Sequence, residues 1–262
     1  MEDVEKNTDD NRTPNGTTRL EEMKAALILP AGTIYAAQKY AGDRVREATR
    51  NALGQMLDAH LLVSGVMAGV LLRTDGKRCP QGDHYQERRV LFASYVVGMP
   101  LCEQAIEEGR YLQALTLLRQ EMETLAQIVT SHCGKRQKGK QATMAVLGKD
   151  IARVYGDLSA AAHASNHAMA SELLTAELEG HETISTATYF YPVENKKLAR
   201  QAFALHLLLS IRLIQQISID YLKVHPKDAF GPNDVEAVNL ALELMAAEGM
   251  VEPVLDEPGE AA

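Results

Sequence analysis

The feature that most constrains the fold is a run of apolar residues at three- and four-residue steps between Asn51 and Arg73. An α-helix places residues with this spacing along one side, so the run predicts a long helix that packs against others. The same spacing recurs in several further segments, including Tyr111 to Thr130 and Glu194 to Val224. We therefore predict an all-α fold, a multi-helix bundle of about six to eight helices.

Composition supports helix packing over sheet formation. Aromatic residues make up only 5% of the chain and Trp is absent, a balance that disfavours strands. The exception is a segment near 183–193, where β-branched and aromatic residues predict a short extended stretch. A helix break is expected near Pro30, and Pro100 is expected to kink or end the helix that contains it.

The chain length of 262 residues is enough to bury a sizeable core. Residues 1–18 are polar and lack periodicity, which predicts a disordered N-terminal tail. Residues 19–250 form the predicted single helical domain. Residues 251–262 form an acidic, flexible tail.

Charge and cysteine content narrow the functional class. The formal net charge of −8 argues against a general nucleic-acid binder, although a local basic patch could still bind a phosphate backbone. The three cysteines form no Cys-x-x-Cys pair, which favours a reducing compartment. The most apolar run, 61–72, is shorter than the ~20 residues that span a bilayer. We expect a cytoplasmic protein with no membrane partner.

A stripe of polar residues suggests a functional site. Tyr155, Ser159, His163 and His167 recur every four residues, so they lie along one side of a predicted helix that begins near residue 142. Small residues between them allow a second helix to approach closely. The chain carries no dinucleotide fingerprint and no phosphate-binding glycine loop, so no cofactor is predicted.

The expected partner of this stripe is a charged pair, Arg119 and Glu123, on the preceding helix. The pair lies on the side that also bears apolar residues, whereas Glu121 is predicted to lie on the wetter arc of the same helix. A charge on a semi-apolar side needs a partner, and Ser159, His163 and Tyr155 are of the right chemical types. The alternative is a surface ion pair between residues four apart, which would contribute a few tenths of a kcal/mol.

His163 is the strongest single candidate for chemistry, because an imidazole titrates near neutral pH and Ser159 is placed to orient it. His163 and His167 also have the spacing of two metal ligands, but the segment lacks the glutamate of the zincin motif. No metal is predicted. The alternative interpretation is that these histidines lie in the core with their ring nitrogens hydrogen-bonded and have no chemical role.

A basic, glycine-broken loop follows the helix of Arg119. Its four cations are expected to bind nucleic acid, with a merely solvated loop as the alternative. These residues are Lys135, Arg136, Lys138 and Lys140.

The Arg-x3-Glu motif at Arg119 and Glu123, with the Tyr-x2-Leu-Ser-x3-His-x-Ser motif from Tyr155 to Ser165, resembles a largely uncharacterised group of bacterial helical proteins. That group is distantly similar to the HEPN class of helical bundles, many of which are ribonucleases or components of toxin–antitoxin and phage-defence systems. The resemblance covers about residues 100–225. The HEPN class uses Arg-x4–6-His on one helix, whereas here the arginine and histidine lie on different helices.

The resemblance implies a protein that acts on RNA or nucleotides. The most specific version of this hypothesis is a metal-independent ribonuclease. His163 would then act as general acid or base and Arg119 would stabilise phosphate charge. Glu123 and Ser159 would orient them, with Tyr155 in support together with His167. The alternative is a non-catalytic interaction or regulatory bundle, with a protein partner or a second copy, in which the polar cluster only fixes helix register.

Overall fold

The computed structural model describes residues 18–77, 84–135, 139–162, 167–177, 186–222 and 230–251, and α-helices dominate these segments. The predicted all-α bundle is confirmed, with eight α-helices in the part described. They are α1 (Arg19–Leu53), α2 (Met56–Thr74), α3 (Tyr85–Glu107), α4 (Tyr111–His132), α5 (Lys149–Ala162), α6 (His167–Leu174), α7 (Lys196–Leu222) and α8 (Pro232–Ala247). A short 3-10 helix, Met144–Leu147, precedes α5. The predicted tails lie outside the described residues, except for Thr18 and Val251.

A small hairpin accompanies the helices. Strand β1 (Thr175–Glu177) pairs antiparallel with β2 (Thr186–Thr188), and Thr175 lies opposite Thr188. The strand β2 falls within the stretch predicted to be extended, near 183–193. Its β-branched threonines suit a pleated backbone, as the composition indicated.

Helix α7 occupies the centre of the bundle. It packs against α1, α2, α3 and α4, while α8 covers α2 and α5 covers the far side of α4. The largest fully buried side chains come mainly from these central helices: Leu53, Met56, Ile106, Leu118, Met122, Leu125, Ile128, Phe203, Leu207, Leu209, Leu213 and Ile214. Helix α4 is therefore packed on two sides, a point that matters for the polar residues it carries.

The helix break predicted near Pro30 is wrong, and the helix that contains Pro100 does not end there. Pro30 lies inside α1 and Pro100 lies inside α3, and both helices continue through them. Each proline is exposed, so water can hydrogen-bond the carbonyl group that loses its helical partner. Solvent exposure at these positions lowers the penalty that would end a buried helix.

Within the described ranges, two helices, Met56–Thr74 and Lys196–Leu222, are long and apolar enough to cross a membrane by length and composition. The core helix of a soluble protein passes the same test, and α7 is largely buried among its neighbours. The predicted cytoplasmic location stays a prediction.

Candidate functional site

Three of the polar residues predicted to meet between α4 and α5 are in contact: Arg119, Glu123 and Tyr155. Arg119 Nε donates to Glu123 Oε1 at 2.9 Å, and the Tyr155 hydroxyl donates to the same oxygen at 2.7 Å. The guanidinium carbon of Arg119 lies 5.5 Å from the centroid of the Tyr155 ring. We call Arg119, Glu123 and Tyr155 the α4–α5 cluster. Contacts with Tyr155 and Glu123 raise the pKa of Arg119.

The remaining members of the predicted site are only partly described. Ser159 is half-buried, and its Oγ has no hydrogen-bond partner among the described residues. His163 lies outside the described residues, and His167 begins α6 with its side chain outside the description. The predicted meeting of the Arg119 guanidinium with an imidazole is therefore left as a prediction.

The basic loop ends beside the α4–α5 cluster. Lys135 and Lys140 are exposed, whereas Arg136 and Lys138 lie outside the described residues. Two side-chain amides tie the end of the loop to the two helices. The amide of Gln127 donates to the Lys140 carbonyl oxygen at 3.3 Å, and that of Gln141 donates to the Tyr155 hydroxyl at 3.3 Å.

A second polar cluster, not predicted from the sequence, lies in the centre of the bundle. We call it the four-helix cluster, because α2, α3, α4 and α7 each contribute one residue: His60, Glu103, Glu121 and His206. Glu103 Oε1 lies 3.0 Å from His60 Nε2 and 3.3 Å from His206 Nε2. The other ring nitrogen of His206, Nδ1, lies 3.0 Å from both carboxylate oxygens of Glu121.

Burial differs across this cluster. His206 is fully buried and Glu121 is 6% exposed, while the side chains of His60 and Glu103 are 25% and 23% exposed. The prediction that Glu121 lies on a wet arc of α4 is wrong. Because α3 and α7 pack on one side of α4 and α5 on another, no simple division into a wet and a dry side applies.

The charges within the four-helix cluster shift one another's pKa. Burial alone would raise the pKa of Glu103, but hydrogen bonds with His206 and His60 outweigh it and lower that pKa to about 2. Burial alone would lower the pKa of His206, but the Glu121 carboxylate and the surrounding hydrogen bonds raise it well above the usual value. Two carboxylates therefore face one imidazolium in the core.

Neighbouring side chains hold the cluster in place. The Phe203 ring lies against both imidazoles, with its centroid 5.6 Å from that of His60 and 6.4 Å from that of His206. The Tyr95 hydroxyl lies 3.5 Å from Glu121 Oε2. Cys102 is fully buried beside His206, and burial raises the pKa of its thiol to about 11.

An open cleft reaches the exposed side of the four-helix cluster. It has a volume of about 600 Å³, and both His60 and Glu103 line it. The other lining residues are Arg46, Arg50, Leu57, Leu61, Pro100, Gln104 and Glu107. The cluster is thus closed on the side of Glu121 and open on the side of His60.

The spacing of three of these groups suits a metal ion. His60 Nε2, Glu103 Oε1 and His206 Nε2 belong to a set of ligand atoms that all lie within 4.8 Å of one another. Ligands held at about 2.1 Å in a tetrahedral site are separated by about 3.4 Å, close to the observed 3.0 and 3.3 Å. The hydrogen bond from His206 Nδ1 to Glu121 is the support that a metal-binding histidine commonly has.

A further ion cluster links α3, α4 and α7. Arg88 donates to both oxygens of Asp220 at 2.7 and 2.9 Å, and His132 Nε2 lies 3.0 Å from Asp220 Oδ1. Burial alone would raise the pKa of Asp220, but hydrogen bonds with His132 and Arg88 hold it below its usual range. This arrangement is a buried ion pair that joins three helices.

A weak signal in the sequence marks the four-helix cluster. His60 and His206 each interrupt an apolar helical stripe, where a buried polar side chain needs a partner. Their partnership could not be deduced, because the hydrogen-bonded pairs lie 85 and 103 residues apart in sequence.

Comparisons with protein-family models, with curated proteins and with solved structures find no match to this chain.

Proposed function

We propose that the bundle binds one divalent first-row transition-metal ion through His60, Glu103 and His206, and uses it on a small molecule in the adjoining cleft. Two imidazoles and one carboxylate are a ligand set that suits Zn²⁺ in hydrolytic enzymes and Fe²⁺ in oxygenases. The observation that carries the proposal is the convergence of these three ligand atoms at the wall of an open cleft.

The number of protein ligands favours a catalytic over a structural metal site. Structural zinc sites are closed by four protein ligands, whereas catalytic sites keep one position for water or substrate. Among the residues that the structure describes, three groups converge here, and the side towards His60 is open to the cleft. Glu121 would act as a positioning residue, because it fixes the orientation of the His206 ring.

The experiment is metal binding by the purified full chain. We expect about one equivalent of Zn²⁺ or Co²⁺ per chain, and the visible absorption of bound Co²⁺ reports the coordination. The variants His60→Ala and Glu103→Gln should weaken binding roughly 100-fold or more, since loss of an outer partner alone typically costs 10- to 100-fold. Circular dichroism verifies that each variant is folded.

The matched control is His84→Asn. His84 lies about 28 Å from Glu103 along the axis of α3, since 19 residues rise about 1.5 Å each. It pairs with Glu87 through its own imidazole, and asparagine tolerates its left-handed backbone with φ of 65°. This variant should bind metal like the wild type. Folded wild-type protein that binds no metal, or binding that survives in His60→Ala and Glu103→Gln, would overturn the proposal.

A second candidate function is RNA- or nucleotide-directed chemistry of the HEPN-like type. The α4–α5 cluster supports it, because Arg119 is only half-buried and the basic loop ends beside Tyr155. Arg119→Ala should weaken binding of a fluorescent single-stranded RNA at least tenfold, whereas Arg153→Ala, at an exposed position on α5, should leave binding unchanged.

His163→Ala separates this function from the structural alternative. Loss of RNA cleavage with unchanged melting would favour catalysis by His163. A lower melting temperature, with no cleavage activity to lose in the wild type, would favour a cluster that only fixes helix packing.

A further inference from the structure

We propose that the cleft recognises small molecules through an oxyanion, a phosphate or carboxylate group, and that Arg50 is the residue that binds it. This inference rests on the proposed metal site, because the ion supplies part of the attraction. Three features of the cleft carry the inference: its charge balance, the free donors of Arg50 and its apolar wall.

The fixed charges of the cleft balance without an ion. Two arginines, Arg46 and Arg50, and two glutamates, Glu103 and Glu107, line it. A divalent ion held by His60, Glu103 and His206 would leave the lining with an excess of two positive charges. Such an excess, in a concave site with low-dielectric walls, attracts anions.

The two arginines differ in how far their donors are already used. Arg46 contacts Asp43 at 3.2 Å and also pairs with Glu108. Arg50 lies 3.8 Å from Glu107, beyond hydrogen-bonding distance, and its side chain is 55% exposed. Among the described residues no hydrogen bond from Arg50 is present, so its planar fork of donors is available for a phosphate or carboxylate.

The cleft also offers a surface for the remainder of such a molecule. Leu57, Leu61 and Pro100 supply an apolar wall, and Leu61 exposes 71% of its area. A volume of about 600 Å³ lies within the range of small-molecule sites, roughly 300–1,000 Å³.

The test uses Co²⁺-loaded full-length protein, titrated separately with inorganic phosphate and with acetate. The visible spectrum of Co²⁺ reports an anion in the open position, and calorimetry gives its affinity. Arg50→Gln should weaken the binding of the preferred anion at least tenfold. Glu107→Gln should tighten it several-fold, because it removes the carboxylate nearest Arg50. The control Arg44→Gln changes an exposed arginine of the same helix that lines a different cleft, and should have no effect.

Each outcome decides the matter. The anion with the higher affinity, phosphate or acetate, is the one that the site prefers. The inference is supported if Arg50→Gln weakens the binding of that anion. Protein that binds Co²⁺ but neither anion overturns the inference while the metal site stands. Anion affinity that is the same in Arg50→Gln as in the wild type does so too. Protein that loads no metal overturns both.

Discussion

Two polar clusters share helix α4 and differ in how they are held. In the α4–α5 cluster the side chains of Arg119 and Glu123 are 25% and 30% exposed and lie one helical turn apart. In the four-helix cluster His206 is fully buried, and its two carboxylate partners, Glu103 and Glu121, come from two other helices. Local spacing revealed the first cluster, whereas only tertiary packing reveals the second.

The two clusters are also expected to differ in how much they contribute to the free energy of unfolding. A partly exposed ion pair between residues four apart contributes about 0.3–0.5 kcal/mol, because water screens it. Removing one partner of a buried pair costs far more, since the remaining charge loses both its partner and its hydration. The four-helix cluster should therefore dominate stability, although its residues are scattered along the chain.

The largest expected effect follows from a matched pair of substitutions on α4. Glu121→Ala should lower the free energy of unfolding by about 3–5 kcal/mol, because it leaves a buried imidazole without its carboxylate. Glu123→Ala, two residues away, should cost only about 1–2 kcal/mol, because it removes a partly exposed ion pair and the hydrogen bond from Tyr155. Urea denaturation with EDTA present, which excludes any contribution from metal, measures both. Equal effects would show that the two clusters do not differ as described.

A similarly large effect, with a pH dependence, is expected at Asp220. At pH 7 Asp220→Asn should cost about 3–5 kcal/mol, since Arg88 stays buried without its bidentate partner. The pKa of Asp220 is depressed by folding, so its ionised form stabilises the protein above the unfolded pKa of about 3.9. That contribution fades as the pH falls through the lower folded pKa.

Unfolding measured at several pH values tests this expectation. The stability difference between wild type and Asp220→Asn should narrow below about pH 4. A difference that stays constant down to acid unfolding would mean that the charge of Asp220 is not what stabilises the fold.

The smallest effect is expected in the α4–α5 cluster. Tyr155→Phe removes the hydroxyl that donates to Glu123, and should lower the free energy of unfolding by about 0.5–1.5 kcal/mol. Repeating the substitution in a Glu123→Ala background isolates the coupling between the two residues. We expect the effect of Tyr155→Phe to become smaller there, and an unchanged effect would contradict the hydrogen bond.

The helices were predictable because their periodicity is local, and so was the meeting of Arg119 and Glu123 with Tyr155. The wrong predictions depended on solvent exposure and on tertiary packing, which local sequence does not reveal. A break was expected near Pro30 and a kink or an end at Pro100, but both helices continue, because water can replace the lost hydrogen bond at these exposed positions. Glu121 was assigned to the wrong side because α4 packs against neighbours on more than one side.

The four-helix origin of the His60, Glu103, Glu121 and His206 cluster also bears on folding kinetics. Its bonded pairs close loops of 85 and 103 residues, and both contain His206, so a chain that lacks α7 can form neither pair. A ligand held there binds only the native state, and at 100 times its Kd it would add about 2.7 kcal/mol to stability. Binding of this ligand during refolding would then report the moment at which the helices complete their packing.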